Sequence, residues 1–166
     1  MAPDRERYAE RQAGLLRALR DPAHAPDGFA AADLAAASGS LVRKRARQVA
    51  ASWPAVAHAL GEAYLSRFER FARTTPPPAV GDGLGDGLAF AGTLDDRERT
   101  DEVRAETMLA RGLFTLRHGT AARRRGPYLA AVRLGDPHRI LVVAHLPGVG
   151  RYHAAIRIPG SRRERY

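Results

Sequence analysis

The sequence predicts an α+β fold, an N-terminal helical bundle followed by a small antiparallel β-sheet subdomain, and three observations carry that expectation. Apolar residues recur at helical spacing through the first two thirds of the 166 residues. Beyond Gly112 this spacing gives way to short runs of β-forming residues separated by turn residues. Charge divides at the same place: residues 1–111 balance to zero, whereas residues 112–166 hold 11 arginines against Asp136 and Glu164, a balance of +9. The expected organisation is a helical domain over 1–96, then a helix plus a four-stranded antiparallel sheet over 97–166. A chain of this length can bury one moderate core or two small subdomains that share an interface.

Tyr8, Leu15, Leu16 and Leu19 share a helical face, which predicts an amphipathic helix from about Asp4 to Arg20. Asp21-Pro22 and Ala25-Pro26 break it. Asp27 can cap a second helix through FAAADLAAAS, and Ser38-Gly39-Ser40 is expected to interrupt before a third, with Ser40 as cap. In that third helix Val42, Ala46, Val49, Ala50 and Trp53 form one buried stripe, so Arg43, Lys44 and Arg47 point outward. Pro54 ends it or opens the short turn PAVAHAL, which Gly61 can close. Tyr64, Phe68, Phe71 and Ala72 line a fourth helix that Pro76 to Pro78 stop. AVGDGLGDG then reads as a flexible loop leading into the short helix or turn LAFAGTL, with Asp82 and Asp86 solvated. Thr100 caps a helix carrying Asp101 and Glu102 in its first turn, and Gly112 ends it.

The four strand candidates are GLFTLRH, PYLAAVRL, RILVVAHL and RYHAAIRIP. The third is apolar on both faces and is expected to be central. The fourth alternates, with Tyr152, Ala154, Ile156 and Ile158 expected inward and Arg151, His153 and Arg157 outward, as an edge strand. Pro147-Gly148-Val149-Gly150 supplies the turn before it. The tail from Ser161 is expected to fray.

Several chemistries lack their residues. With no cysteine, disulfides, thiolate metal sites and cysteine nucleophiles are excluded. The six histidines, at 24, 58, 118, 138, 145 and 153, show no paired metal spacing and no HExxH motif, although His145 and His153 flank one hairpin. GDGLGDG lacks the Lys-Ser/Thr of a phosphate loop and follows no strand. No GxSxG is present. No catalytic, cofactor-binding or metal-binding residue is therefore assigned. No run approaches the roughly 20 apolar residues of a membrane span, and the charged start MAPDRERYAERQ is unlike a signal peptide, so a cytoplasmic protein with no membrane partner is expected.

The charge excess points to an anionic partner for the last third of the chain. Arginine supplies 26 of the 27 cationic residues, a compositional bias that weakens any inference from its forked geometry. Arg123, Arg124, Arg125, Arg151, His153 and Arg157 are the candidate peptide-binding residues: an edge strand with cationic flanks can accept an extended acidic peptide by strand addition. Cationic edges also serve simply to prevent aggregation. Arg43, Lys44, Arg45 and Arg47 suggest DNA contact, but their surroundings are neutral overall, which argues for a solvated helix face.

Residues 29–94 resemble the helical region of small bacterial partner proteins often labelled as DNA-binding domains. These accompany multinuclear non-haem iron-dependent oxidative enzymes in the modification of ribosomally made peptides, methanobactin biosynthesis being the familiar case. The matching residues are LVRKRARQVAASWP, the Trp53-Pro54 break, Ala59-Leu60-Gly61-Glu62, YLSRFERFA, the Thr-Thr-Pro stop and LAFAGTL. The resemblance implies an accessory subunit, not itself the enzyme. Such a subunit forms a heterodimer with the iron enzyme and helps present a precursor peptide, possessing no cofactor of its own while iron stays in the partner. The expected division of labour has the neutral helical region docking the enzyme, through Arg43, Lys44 and Arg47, and the basic sheet region capturing an acidic leader. The competing class is a nucleic-acid-binding regulator that uses the same basic region.

Overall fold

The computed structural model describes residues 3–18, 26, 28–78, 82–135 and 139–157. Helices occupy the first two thirds and antiparallel strands the last, the predicted α+β layout. By contacts the chain divides into two compact units, residues 1–45 and 46–166.

In the first unit α1 spans Pro3–Ala18 and α2 begins at Ala31, with Ala18 and Leu34 buried. Tyr8, expected on the buried face of α1, is 65% exposed. Leu19 and the proline breaks that follow lie outside the described residues, apart from Pro26. Helix α2 runs unbroken over Ala31–Ser52, through the Ser38-Gly39-Ser40 expected to interrupt it. Serine and glycine each lower helix propensity by only about 0.5–1 kcal/mol, and burial along one face outweighs that.

The second unit is built around the end of α2. Ala46, Val49 and Trp53 of the predicted stripe are buried, Trp53 being 1% exposed. The chain then turns: Pro54 opens α3 (Pro54–Leu60), and Gly61, at φ 51°, closes it where a side chain would be strained. A 3-10 turn over Gly61–Ala63 leads into α4 (Tyr64–Thr74), which Thr75 and the prolines end. Phe68 and Phe71 meet Phe90 with ring centroids 5.2 and 5.3 Å apart, and Tyr64 approaches Phe90 edge-on at 6.0 Å.

The glycine-rich stretch is where the structure departs most from expectation. GDGLGDG is no loop but the start of α5, Asp82–Ala91. A Cβ at Gly83 would strike the Gln48 carbonyl, and one at Gly87 would lie on the Trp53 indole. Spaced four apart, the two glycines let α5 press against the end of α2, and the Trp53 Nε1–H donates to the Leu84 carbonyl at 3.2 Å. Asp86, expected in solvent, is 3% exposed.

Helix α6 (Asp101–Arg111) is capped by the Thr100 hydroxyl, as predicted. Among the described residues the β region then holds five strands in two sheets where one four-stranded sheet was expected. A hairpin pairs β1 (Phe114–Arg117) with β2 (Thr120–Arg123) through His118-Gly119, both at positive φ. The second sheet has the order β3-β4-β5, with β3 at Tyr128–Leu134, β4 at Arg139–Leu146 and β5 at Gly150–Arg157. The central place of β4 and the edge place of β5 match expectation.

Helix α6 covers one face of β3 and β4, where Met108 packs with Leu141 and Val143 and with half-buried Tyr128, Ala130, Val132 and Leu134. Strand pairing sets His153 opposite Val143 and Arg151 opposite His145. Arg151, His153 and Arg157 therefore share the helix-covered face, while Tyr152, Ala154 and Ile156 lie on the other, which reverses the expected orientation of β5. Tyr152 and Ile156 are 55% and 56% exposed. Ile158 lies outside the described residues. Among the described residues no helix is long and apolar enough to cross a membrane.

Candidate functional site

The most site-like feature of the second unit is a groove of about 630 Å³ beside β3. Val103, Arg104, Thr107, Met108 and Arg111 line it from one face of α6, at spacings of one, three and four residues. Leu88 and Ala91 come from the end of α5, Leu116 from β1, and Tyr128, Ala130, Ala131 and Val132 from β3. Side chains of a strand alternate between faces, so three consecutive residues can border one cavity only at the strand's edge. The partnered edge of β3 belongs to β4, and the groove therefore follows the free one. Outside the β3–β4 ladder, no backbone hydrogen bond links residues 128–134 to another described residue.

The floor is apolar, with Leu88, Val103 and Met108 buried, and the rim is cationic. Arg99, Arg104 and Arg111 are exposed, against one rim carboxylate, Asp96. Rim geometry is set from α4: Arg67 donates to both Glu98 oxygens at 2.8 and 3.1 Å, and Glu98 also accepts from the Asp95 N–H at 2.9 Å. The Asp95 amide first, and then the Arg67 guanidinium, hold the Glu98 carboxyl below the usual carboxylate range against the upward push of burial. Asp96 and Arg99 themselves approach to 3.7 Å.

Helix α6 forms the groove wall and is fixed along its length. Asp101 accepts from the Gly135 N–H, joining the start of α6 to the end of β3. Glu106 accepts from the Ala55 and Val56 amides at 3.0 and 3.3 Å, satisfying donors that the start of α3 leaves unpaired. Burial pushes the Glu106 carboxyl up against the opposing pull of those amides. At the other end, Arg124 donates to the Arg111 carbonyl at 2.7 Å and Arg151 to the Leu109 carbonyl at 3.1 Å. Cations there complement the negative end of the helix dipole.

The arginines singled out from the sequence thus divide. Arg124 and Arg151 are engaged with the end of α6, and Arg124 also lies 4.6 Å over the ring of Tyr128, which borders the groove. Arg123, Arg125, His153 and Arg157 are exposed, and none of them borders the groove. Arg43, Lys44 and Arg47 are exposed along α2, as expected, with Arg43 only 3.4 Å from the Ser40 hydroxyl. Sequence reasoning missed Arg99, Arg104 and Arg111, because they precede the basic third and sit in a segment of neutral overall charge. The face that α6 turns to β3 was the available signal, since Arg104 and Arg111 flank its apolar stripe at a spacing of seven.

Among the described residues no group of three or more His, Asp or Glu side chains could hold a metal ion. The Nδ1 of His145 is buried without a hydrogen-bond partner.

Residues 9–96 match the family model described as SCO6045-like, C-terminal domain, and the chain belongs to that family. The match covers α1 to α5 from Ala9 onward and ends at Asp96, ahead of α6 and the strands. No curated protein and no solved structure matches.

Proposed function

We propose that this member of the SCO6045-like family is a non-catalytic partner protein that binds a ribosomally made precursor peptide and presents it to a multinuclear iron-dependent oxidative enzyme. The observation that carries the peptide-binding part is the groove along the free edge of β3. An extended peptide adds to that edge through main-chain hydrogen bonds, which give affinity without demanding a particular sequence. Alternate side chains then enter the apolar floor between Val103, Met108 and Leu116, and acidic residues of the peptide meet Arg99, Arg104 and Arg111. Seven residues of β3 offer a track of about 23 Å at about 3.3 Å per residue.

The oxidative-enzyme part of the proposal is supported by the sequence resemblance over residues 29–94, including Trp53-Pro54, where the indole is buried in the helical core and the proline opens α3. Iron belongs to the partner in this reading. The basic region also suits a nucleic-acid ligand, and the test must separate the two. Calorimetric titration of the full chain with the synthetic leader of the precursor encoded beside it is expected to give saturable micromolar binding that excess duplex DNA does not displace. Absence of binding, or displacement by DNA at comparable phosphate concentration, overturns the proposal.

A further inference from the structure

Helix α6 runs alongside β3 in the opposite direction, and two contacts fix the alignment. At one end Asp101 accepts from the Gly135 N–H; at the other, a Cβ on Gly112 would stand 3.1 Å from Val143, the strand partner of Ala130. From Asp101 to Gly112 at about 1.5 Å per residue, and from Gly135 back to Ala130 at about 3.3 Å per residue, the rise is about 16 Å in both. Helix and strand therefore stay level along the groove. Its α6 wall reads cationic, apolar, cationic: Arg104 and Arg111 stand about 10 Å apart along the helix axis, with Thr107 and Met108 between them. The Thr107 hydroxyl donates to the Val103 carbonyl at 2.7 Å, which turns the polar group of this middle stretch back onto its own helix. Leu88, Val103 and Met108 are buried and line the same groove. A polar side chain entering there would lose water and gain no partner, whereas an apolar one gains by burial.

We infer that the groove selects an extended peptide carrying one large apolar side chain and a carboxylate two residues to either side of it. The inference deepens the proposed peptide binding and rests on that reading. Arg104 and Arg111 are exposed, and among the described residues neither guanidinium makes a hydrogen bond or an ion pair. Arg99 differs, because it approaches Asp96 at 3.7 Å and the Gly92 carbonyl at 3.5 Å. Side chains two apart in a strand share a face, so an apolar residue seated between Arg104 and Arg111 turns its second neighbours on both sides toward the same wall. Those two neighbours are about 13 Å apart, against about 10 Å for the arginine positions, and the long guanidinium stems cover the difference. First neighbours point to the other side, away from α6. Position along the peptide therefore matters as well as its charge.

The test is a calorimetric titration of the full chain with capped synthetic peptides of seven residues, the length of β3. The parent peptide has leucine at its centre, glutamate at the second and sixth positions, and threonine elsewhere to favour the extended state. An isomer of the same composition and charge carries its glutamates at the third and fifth positions. A third peptide replaces the leucine by serine. The isomer and the serine peptide are each expected to bind about tenfold or more weakly than the parent. These comparisons use the wild-type chain and do not depend on the folding of any variant. Arg104→Gln and Arg111→Gln, both at exposed positions, are then combined with replacement of each glutamate in turn by glutamine. Each arginine is expected to couple to one glutamate and not to the other.

The natural leader serves as the reference for the two levels of the argument. If neither the leader nor any designed peptide binds, the peptide-binding reading falls and the inference falls with it. If the leader binds but the parent peptide does not, or the parent and its isomer bind alike, the inference falls alone. Equal coupling of both arginines to both glutamates also overturns it, because charge would then act without position. Indifference to the leucine-to-serine change overturns it too, since the middle of the α6 wall would then select nothing.

Discussion

At the scale of single residues, the glycines of α5 show how far local propensity can mislead. Gly→Ala in a solvated helix interior stabilises by about 1 kcal/mol, and Gly14 in α1, with nothing within 4 Å of its Cβ position, is expected to follow that rule. Gly87→Ala is expected to do the reverse, because the methyl would occupy the place of the Trp53 indole and overpacking costs about 1–3 kcal/mol. Thermal unfolding of the two variants checks the sign: at about 2–4 °C per kcal/mol for a chain of this size, one midpoint rises and the other falls. Tyr64 offers a second residue-level test. Burial, followed by the charge of Asp86, pushes its phenol up to about 12, while its hydroxyl donates to the Ala46 carbonyl at 2.7 Å. Spectrophotometric titration is expected to show an inflection near 12 that Tyr64→Phe lacks. An unchanged profile would contradict the buried placement.

Among the elements, α6 joins the helices to the sheet, and its anchor Glu106 makes stability depend on pH. The folded carboxyl titrates above the ordinary value, so the folded state holds its proton over a range where the unfolded state has lost it. Stability from this group is accordingly greatest below the ordinary carboxylate range and declines as pH rises through the folded value. Glu98 has the opposite sign, its contribution being present above the ordinary range and lost on acidification. Unfolding free energies of the wild type minus those of Glu106→Gln, measured from pH 4 to 8, are expected to fall as pH rises from the ordinary carboxylate value through the raised folded one and to level off above it; a difference that is flat throughout or rises contradicts the assignment.

Elements specified by neighbours in sequence were legible before the structure: the Pro54 start and Gly61 stop of α3, the Thr100 cap, the glycine turn before β5 and the central place of β4. Those decided by distant partners were not. Glycines for loop flexibility and glycines for close packing look alike until Trp53 is placed against α5. Strand β2 escaped notice because its turn is His118-Gly119, where histidine takes the positive φ more often occupied by asparagine. Alternation along β5 defined two faces correctly, but which face met the core depended on where α6 lay, and the sequence of β5 carries no record of that.

For the whole molecule, the question is whether charge acts as a diffuse field or at a defined place. The excess of +9 over residues 112–166 suggests a field, and a field attracts any polyanion. The groove offers a place, because Arg104 and Arg111 lie on its rim while Arg123 and Arg125, equally exposed, do not. Charge reversal at either pair changes the net charge by the same amount, so a field responds equally to both. Arg104→Glu with Arg111→Glu is expected to weaken leader-peptide binding at least 30-fold, whereas Arg123→Glu with Arg125→Glu weakens it threefold or less. Salt separates the contributions further: the residual loss at Arg123 and Arg125 should vanish by 0.5 M salt, where screening removes interactions beyond about 4 Å. The loss at Arg104 and Arg111 should persist, since pairs made beside the buried Val103 and Met108 are screened less. Equal losses that disappear together with salt would mean that the chain binds polyanions through its field, and the basic third would then read as a nucleic-acid surface.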